Sequence, residues 1–484
     1  MDDSQSGELV FSWGQFELHE SDTEGHFLAI GTTGSGKTII LRLLMQDALS
    51  LVGKGLGYRG LVYDAKQDVY PILAGYCEID RIKSLNPFDA RGYAWWMSKD
   101  VRVSAVAMEV AFTLIPEVSE SSAFFRNSAR HIAWGIMCSY MLSGLDWTFA
   151  DMLRSFRSMS TCRRVLLRHP QTRHVVRMYF GEKKLLNDIR ATLAATLMVY
   201  EPIAGSWEKA HRDGKKLSLL DCMDSEEIVI LGNSEMSRAP IDSINRCIFK
   251  RWTELILAQP DGTTKRFWTF IDELSEAGPL PSIVPLLKKS RSHGGRVAVA
   301  SQSIAGLQDS KMYGEWVTKD LLAVLSNRFV GRLECPITAE YLSQYIGDQE
   351  IEQTSTSSTF SSSQNSRSVN RSRATQRTVL PSEYMAIPAC GLENGLAGLF
   401  KIRSTDACFD TIEPSLLFDE LLLPKADDVP DFVPRDDLDQ FVHDWTKDEK
   451  ERFAPKIEKS MFEKLSEMLK PKPKPNPDIP DFNP

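Results

Sequence analysis

Eight consecutive residues, Gly31-Thr32-Thr33-Gly34-Ser35-Gly36-Lys37-Thr38, constrain this chain more than any other stretch, because they match the phosphate-binding pattern GxxxxGK[ST] in full. Ahead of them, His26–Ile30 (HFLAI) reads as a buried strand. Behind them, Thr38–Leu49 (TIILRLLMQDAL) reads as an amphipathic helix. That context is what the chemistry needs. Glycines let successive backbone N–H groups turn inward around phosphate oxygens, and the helix offers the positive end of its dipole to the same charge. Lys37 is expected to reach the β- and γ-phosphates of ATP, and the Thr38 hydroxyl to ligate Mg2+. A second strand, Gly60–Ala65 (GLVYDA), follows the helix and completes the opening of an α/β nucleotide-binding domain.

The rest of the chain divides by pattern. Residues 1–26 are a short lead-in, and 1–100 form the first part of the nucleotide-binding domain. Between 101 and 205 helical periods dominate, as in VSAVAMEVAFTLI and NSARHIAWGIMCSYML, so an all-α domain is expected as an insertion. Strand signals return within 206–418, at EIVILGN, FWTFID, RVAVAS, NRFVGRL and AGLFKI, which complete a mostly parallel central sheet. Residues 354–378 are serine-rich and carry Arg367, Arg371, Arg373 and Arg377 without an acidic residue. They read as a flexible surface loop or, alternatively, as a basic loop that touches DNA phosphate. The acidic, proline-rich segment 419–484 reads as a largely disordered tail suited to docking a partner, with one helical stretch at Lys447–Leu469.

An apolar strand, Phe267–Ile271, ends in the adjacent acids Asp272 and Glu273. Phosphoryl transfer to water needs one acid in the metal shell and a second that orients or activates the water. Asp272 is assigned the first role, beside Thr38, and Glu273 the second. Gln302 ends the next core strand and is positioned to sense the γ-phosphate. Arg291, in KKSRSHGG, is the candidate for completing a neighbouring subunit's site, with Arg328 and Arg332 competing for that role. Asp64 and Lys66 end the strand after the phosphate-loop helix, within reach of the nucleotide or a subunit interface.

The formal net charge of −8 excludes bulk-charge coating of nucleic acid; DNA binding requires a local or assembled basic surface. The eight cysteines are scattered, with no CxxC pair, which points to buried free thiols in a reducing compartment rather than to zinc or disulfides. The polar, acidic N-terminus is not a signal peptide, and no run of about 18 apolar residues appears. A cytoplasmic protein is expected, peripheral at the inner face of the membrane if a partner holds it there.

Together these segments resemble the TraD- and TrwB-type coupling proteins of conjugation and type IV secretion, within the FtsK/HerA motor superfamily. The likeness is carried by GTTGSGKT, YDAKQD, LNPFDARGYAWW, FFRNSARHIAWGIM, FIDELSEAGPLPSIVPLLKKSRSHGGRVAVASQSIAGL, ITAEYLSQYIGDQE and RTVLPSEYMAIPACG, and it spans about Phe27 to Arg403. The resemblance implies a RecA-like domain with an all-α cap, assembled as a homo-hexameric ring around DNA. It implies Walker B, arginine-finger and glutamine-sensor roles for Asp272, Glu273, Arg291 and Gln302. It also implies relaxase and relaxosome partners and a secretion channel. Most relatives begin with a transmembrane hairpin, so a separate membrane-anchor subunit is expected here. The competing expectations are a HerA-like DNA pump for DNA processing or defence and a receptor ATPase that recruits protein substrates.

Overall fold

The computed structural model describes residues 9–116, 123–234, 237–360, 365–403 and 405–456. The chain opens with a hairpin, β1 (Val10–Trp13) and β2 (Phe16–His19), inside what reads by sequence as a lead-in. Then come β3 (Phe27–Ile30), β4 (Tyr58–Asp64), β5 (Ile82–Ser84) and β6 (Ala94–Trp95), followed after a helical stretch by β7 (Lys216–Leu217). The remaining strands are β8 (Ile228–Gly232), β9 (Arg266–Ile271), β10 (Gly295–Ser301), β11 (Asn327–Val330), β12 (Asp348–Phe360), β13 (Asn365–Arg377), β14 (Leu396–Lys401) and β15 (Cys408–Ile412). Nine of these form one sheet in the order β15-β14-β11-β3-β10-β9-β4-β8-β5. The run from β11 to β5 is parallel, and only β14 runs against it.

Both faces of the sheet are covered, which is why its central strands read as continuous apolar runs. Alternation still sorts them. On β9, Trp268 and Phe270 join the helix Lys37–Leu49 and the β1–β2 hairpin on one face; Phe267 and Ile271 join the other core, which continues into the helical body. The hairpin is held by Phe11 and Trp13, almost fully buried, and by the Ser12 N–H donating to Asp47 Oδ2 at 2.7 Å.

The helical body is joined to the sheet through a neck. β6 and β7 pair in parallel, Ala94 with Lys216 and Trp95 with Leu217. Asp100, 1% exposed, pins this joint by accepting from Trp95 Nε1 (2.6 Å), Ser218 Oγ (2.7 Å) and the Leu219 and Leu220 N–H groups (2.9 and 3.0 Å). Four donors around one buried carboxylate offset the cost of removing it from water. The expected boundary at 205 falls inside the helix Glu201–Arg212. Pro202 opens that helix in its first turn, where a missing N–H costs nothing, instead of marking an end.

Two expectations need correction. The serine-rich segment is not an irregular loop: β12 and β13 pair antiparallel from Asp348↔Arg377 to Phe360↔Asn365. At its base Arg377 meets Asp348 at 2.7 Å, and Arg373 lies 3.8 Å from Glu350. Composition registers the serines; it does not register that a second strand, Asp348 to Phe360, supplies backbone partners and counter-charges.

The acidic, proline-rich chain after Phe418 is likewise ordered as far as residue 456; the remainder of the expected helical stretch to Leu469 lies outside the described residues. It runs as a strap across the molecule. Leu423 N–H bonds Gln46 Oε1 (3.1 Å), Ala426 N–H bonds Pro71 O (2.9 Å), and Ala90 N–H bonds Val433 O (2.8 Å). Arg435, 8% exposed, donates to the carbonyls of Pro87 (2.9 Å), Asp89 (2.9 Å) and Gly92 (3.4 Å), so the NPFD segment is the strap's receptor. Beyond it, Trp445 Nε1 bonds Asp151 Oδ1 (2.6 Å), and Arg154 Nε bonds His443 O (2.6 Å) on the helical body. Phe453, 4% exposed, stacks on Trp445. A few anchors at wide spacing hold a segment whose average composition resembles disorder. Arg435→Ala strands those buried carbonyls and is expected to cost about 2–3 kcal/mol in urea denaturation, with earlier proteolytic loss of the strap.

Candidate active site

In a parallel sheet the loops after the strand C-terminal ends share one edge, and ligands bind there. On this edge lie the loop after β3 with Gly31–Thr38, the Asp272–Glu273 pair after β9, Gln302 after β10 and Lys66 after β4. Lys37, Thr38, Asp272, Glu273 and Gln302 all line one cavity of about 670 Å³. β10 stands between β3 and β9, so Gln302 enters between the phosphate loop and the acids.

The phosphate loop is held in shape by backbone bonds within it and to the surrounding chain. Thr32 N–H bonds Arg332 O (2.8 Å), Ser35 N–H bonds Thr32 O (3.2 Å), and Cys390 N–H bonds Gly34 O (2.8 Å). Gly36 sits at φ +94°, a backbone conformation that favours glycine, and a Cβ there would come within 2.0 Å of Leu396 Cδ1 and force that buried side chain to move. The helix Lys37–Leu49 begins immediately after it, aiming its first N–H groups at the cavity. Lys37, 8% exposed, donates from Nζ to Gly31 O (2.7 Å) and Thr32 O (3.0 Å), which folds the side chain back over the loop. Burial lowers its pKa, against the opposing pull of Glu273 and Asp272.

The two acids are held differently. Asp272 Oδ2 accepts from the Thr38 hydroxyl at 3.3 Å and meets Lys66 Nζ at 3.1 Å, while its Oδ1 is buried without a hydrogen-bond partner among the described residues. A hydroxyl, a carboxylate with an open oxygen and a cation already drawn between them suit a hard divalent ion such as Mg2+. Among the described residues no cluster of three or more His, Cys, Asp or Glu could hold a metal, so such an ion depends on phosphate oxygens and water for its other ligands. Glu273, 7% exposed, is bonded by the Ser275 hydroxyl. Burial raises its pKa, opposed by the Ser275 hydroxyl, by Lys37 and by the backbone N–H groups of Ser275 and Gln302. A desolvated carboxylate aimed into the cavity is suited to taking a proton from water.

The arginine candidates separate. Arg291 precedes β10, at the opposite edge of the sheet from the cavity, about 20 Å away by the length of the strand. Half exposed, it pairs with Glu24 at 2.7 Å and takes no part in the cavity of its own chain. Arg328, 2% exposed, donates to the carbonyls of Leu322 and Leu325 and lies over the Tyr345 ring, 3.5 Å from its centroid. Those contacts make it part of the core and remove it from competition. Arg332 stays at the cavity edge of the sheet, 3.8 Å from Glu334. Asp64 is structural too: it accepts the N–H groups of Asp68 and Val69, each at 3.3 Å, and burial, reinforced by Asp68, pushes its pKa up to about 7.

Arg238, absent from the sequence-based candidates, also lines the cavity, where it is paired with Glu276. It opens the helix that follows β8, and only the pairing of β8 beside β4 brings that helix start to this edge.

Fold and site together define a P-loop nucleotide-binding fold with an inserted helical body. Residues 11–399 match the type IV secretion-system coupling protein DNA-binding domain, and the chain belongs to that family. It is 26% identical over 335 residues to the coupling protein TraD of Escherichia coli (strain K12), a match that takes in 67% of this chain and spans 44% of TraD. The solved structure of the bacterial conjugative coupling protein TrwBdeltaN70, in its unbound monoclinic form, aligns at a TM-score of 0.66 and 20% identity over 89% of this chain and 92% of that one. The plasmid coupling protein TrwB in complex with ADP and Mg2+ aligns at a TM-score of 0.66 and 19% identity, with 89% and 92% covered. Among the described residues no helix is long and apolar enough to cross a membrane.

Proposed function

We propose that this chain is an ATP-hydrolysing motor that translocates DNA and couples a relaxase–DNA substrate to a type IV secretion channel. The observation that carries the reading is Glu273, a buried carboxylate sharing one cavity with Lys37 and Gln302. A protein that only binds nucleotide has no use for a second acid there.

In this reading the loop Gly31–Thr38 cradles the ATP phosphates and Lys37 bonds the β- and γ-phosphates. Thr38 and Asp272 hold Mg2+, which neutralises charge on the phosphate oxygens. Glu273, oriented by Ser275, accepts the proton of the attacking water, and Gln302 contacts the γ-phosphate. The chain assembles as a homo-hexamer around DNA. The exposed Arg291, on the sheet edge away from its own cavity, reaches the neighbouring subunit's site. Relaxosome proteins deliver the DNA on the cytoplasmic side of the membrane, where the ring meets the channel.

The test is ATP hydrolysis with and without single- and double-stranded DNA, with the mass of the assembly measured in parallel. DNA stimulation with growth to a hexamer is expected; hydrolysis indifferent to both DNAs rejects the motor. Arg291→Ala should keep nucleotide affinity and lose about a hundredfold in turnover. Mixing it with Lys37→Ala subunits should restore part of that rate, since each supplies what the other lacks. Wild-type turnover by Arg291→Ala alone excludes the shared site.

A further inference from the structure

Lys66 stands where the metal chemistry of the site is centred. Its ammonium lies 3.0 Å from Thr38 Oγ1 and 3.1 Å from Asp272 Oδ2, against the hydroxyl and the carboxylate that the site offers to a divalent cation, Asp272 Oδ1 being the oxygen left open. The following residue fixes its direction: Gln67 has φ +61°, in the left-handed region that only glycine enters freely, and its side chain is tied to the Asn233 carbonyl. The ion pair is not a fold-holding contact, because the Lys66 side chain is 54% exposed and such pairs contribute little to stability. Two cations cannot share one position a few ångström wide.

We infer that Lys66 is a resident counter-cation which Mg2+ must displace, so that metal-nucleotide binding moves this side chain. The inference rests on the assignment of Thr38 and Asp272 as the metal ligands. The displaced side chain has somewhere to go. Lys66 is also a wall of a second cavity of about 670 Å³, whose far side is the C-terminal strap at Phe432, Pro434, Arg435, Asp437 and Gln440. Asp437 supplies a carboxylate there. The strap continues to Asp151 and Arg154 of the helical body. Displacement of Lys66 therefore links metal-nucleotide occupancy to the segment that ties the two parts of the molecule together.

Lys66→Met keeps the length of the side chain and removes its charge. With a fluorescent ADP analogue as probe, the Mg2+ concentration at half-saturation of the metal-dependent signal should fall about fivefold relative to wild type, because no ammonium then has to leave. Lys66→Arg should hold the wild-type midpoint. An unchanged or higher midpoint in Lys66→Met overturns the inference. Binding of the probe in EDTA reports that the pocket is folded, and Lys66→Gln replaces Lys66→Met should that variant fail it. If wild-type protein binds the probe neither in EDTA nor in Mg2+, the nucleotide site itself is wrong, an outcome distinct from failure of the Lys66 assignment.

Discussion

Replacing Glu273 by glutamine is expected to leave ATP binding in place and to lower hydrolysis by about a thousandfold. Glutamine matches the shape of glutamate and still accepts the Ser275 hydroxyl bond, so the loop after β9 keeps its form. What disappears is the capacity to take a proton. Asp272 is not expected to substitute, because it accepts from Thr38 and is the acid proposed to hold the metal. The same residue sets the pH dependence. Glu273 must be ionised to act as base, and burial raises its pKa, so wild-type turnover should be lost with falling pH above the range of an ordinary glutamate. Steady-state hydrolysis from pH 5 to 8, with nucleotide affinity measured alongside, checks both statements. Turnover by Glu273→Gln within tenfold of wild type refutes the assignment of the base.

Lys37→Ala acts one step earlier. The lysine is nearly buried and folded over its own loop, donating to the carbonyls of Gly31 and Thr32. Those contacts hold the ammonium ready, so phosphates meet a positioned charge. Loss of a charge-assisted bond to phosphate in a partly desolvated pocket should weaken ATP about a thousandfold, which abolishes binding at ordinary concentrations. The loop itself persists, since Gly36, the Thr32–Arg332 bond and the Cys390–Gly34 bond do not involve the lysine. Calorimetric titration with ADP and ATP, beside a melting curve close to wild type, distinguishes lost binding from lost folding. Affinity within tenfold of wild type would remove Lys37 from the site.

Much of this site was legible because its chemistry is local in the chain. A glycine loop between a strand and a helix, and two acids closing an apolar strand, each announce themselves within about a dozen residues. The parts that were not legible are the ones made by distance. Lys66 looks like an ordinary strand-end lysine until β4 is placed beside β9, which brings it against Asp272. Arg328 and Arg291 look equivalent in sequence; one is sealed in the core and the other lies half exposed at the far edge of the sheet. The β12–β13 ribbon and the C-terminal strap were read from average composition, which cannot register a partner strand or a few well-spaced anchors such as Arg435 and Trp445.

Periodicity and motif thus sufficed to place the glycine loop between a strand and a helix, the two acids at a strand end, the alternation of strand and helix, and the helical body, since each follows from the preferences of neighbouring residues. Strand order, the insertion of β10 between β3 and β9, the meeting of Lys66 with Thr38 and Asp272, and the path of the strap over the NPFD segment were settled by packing. They depend on which faces must be buried together, a requirement of the whole chain that no short stretch of it carries.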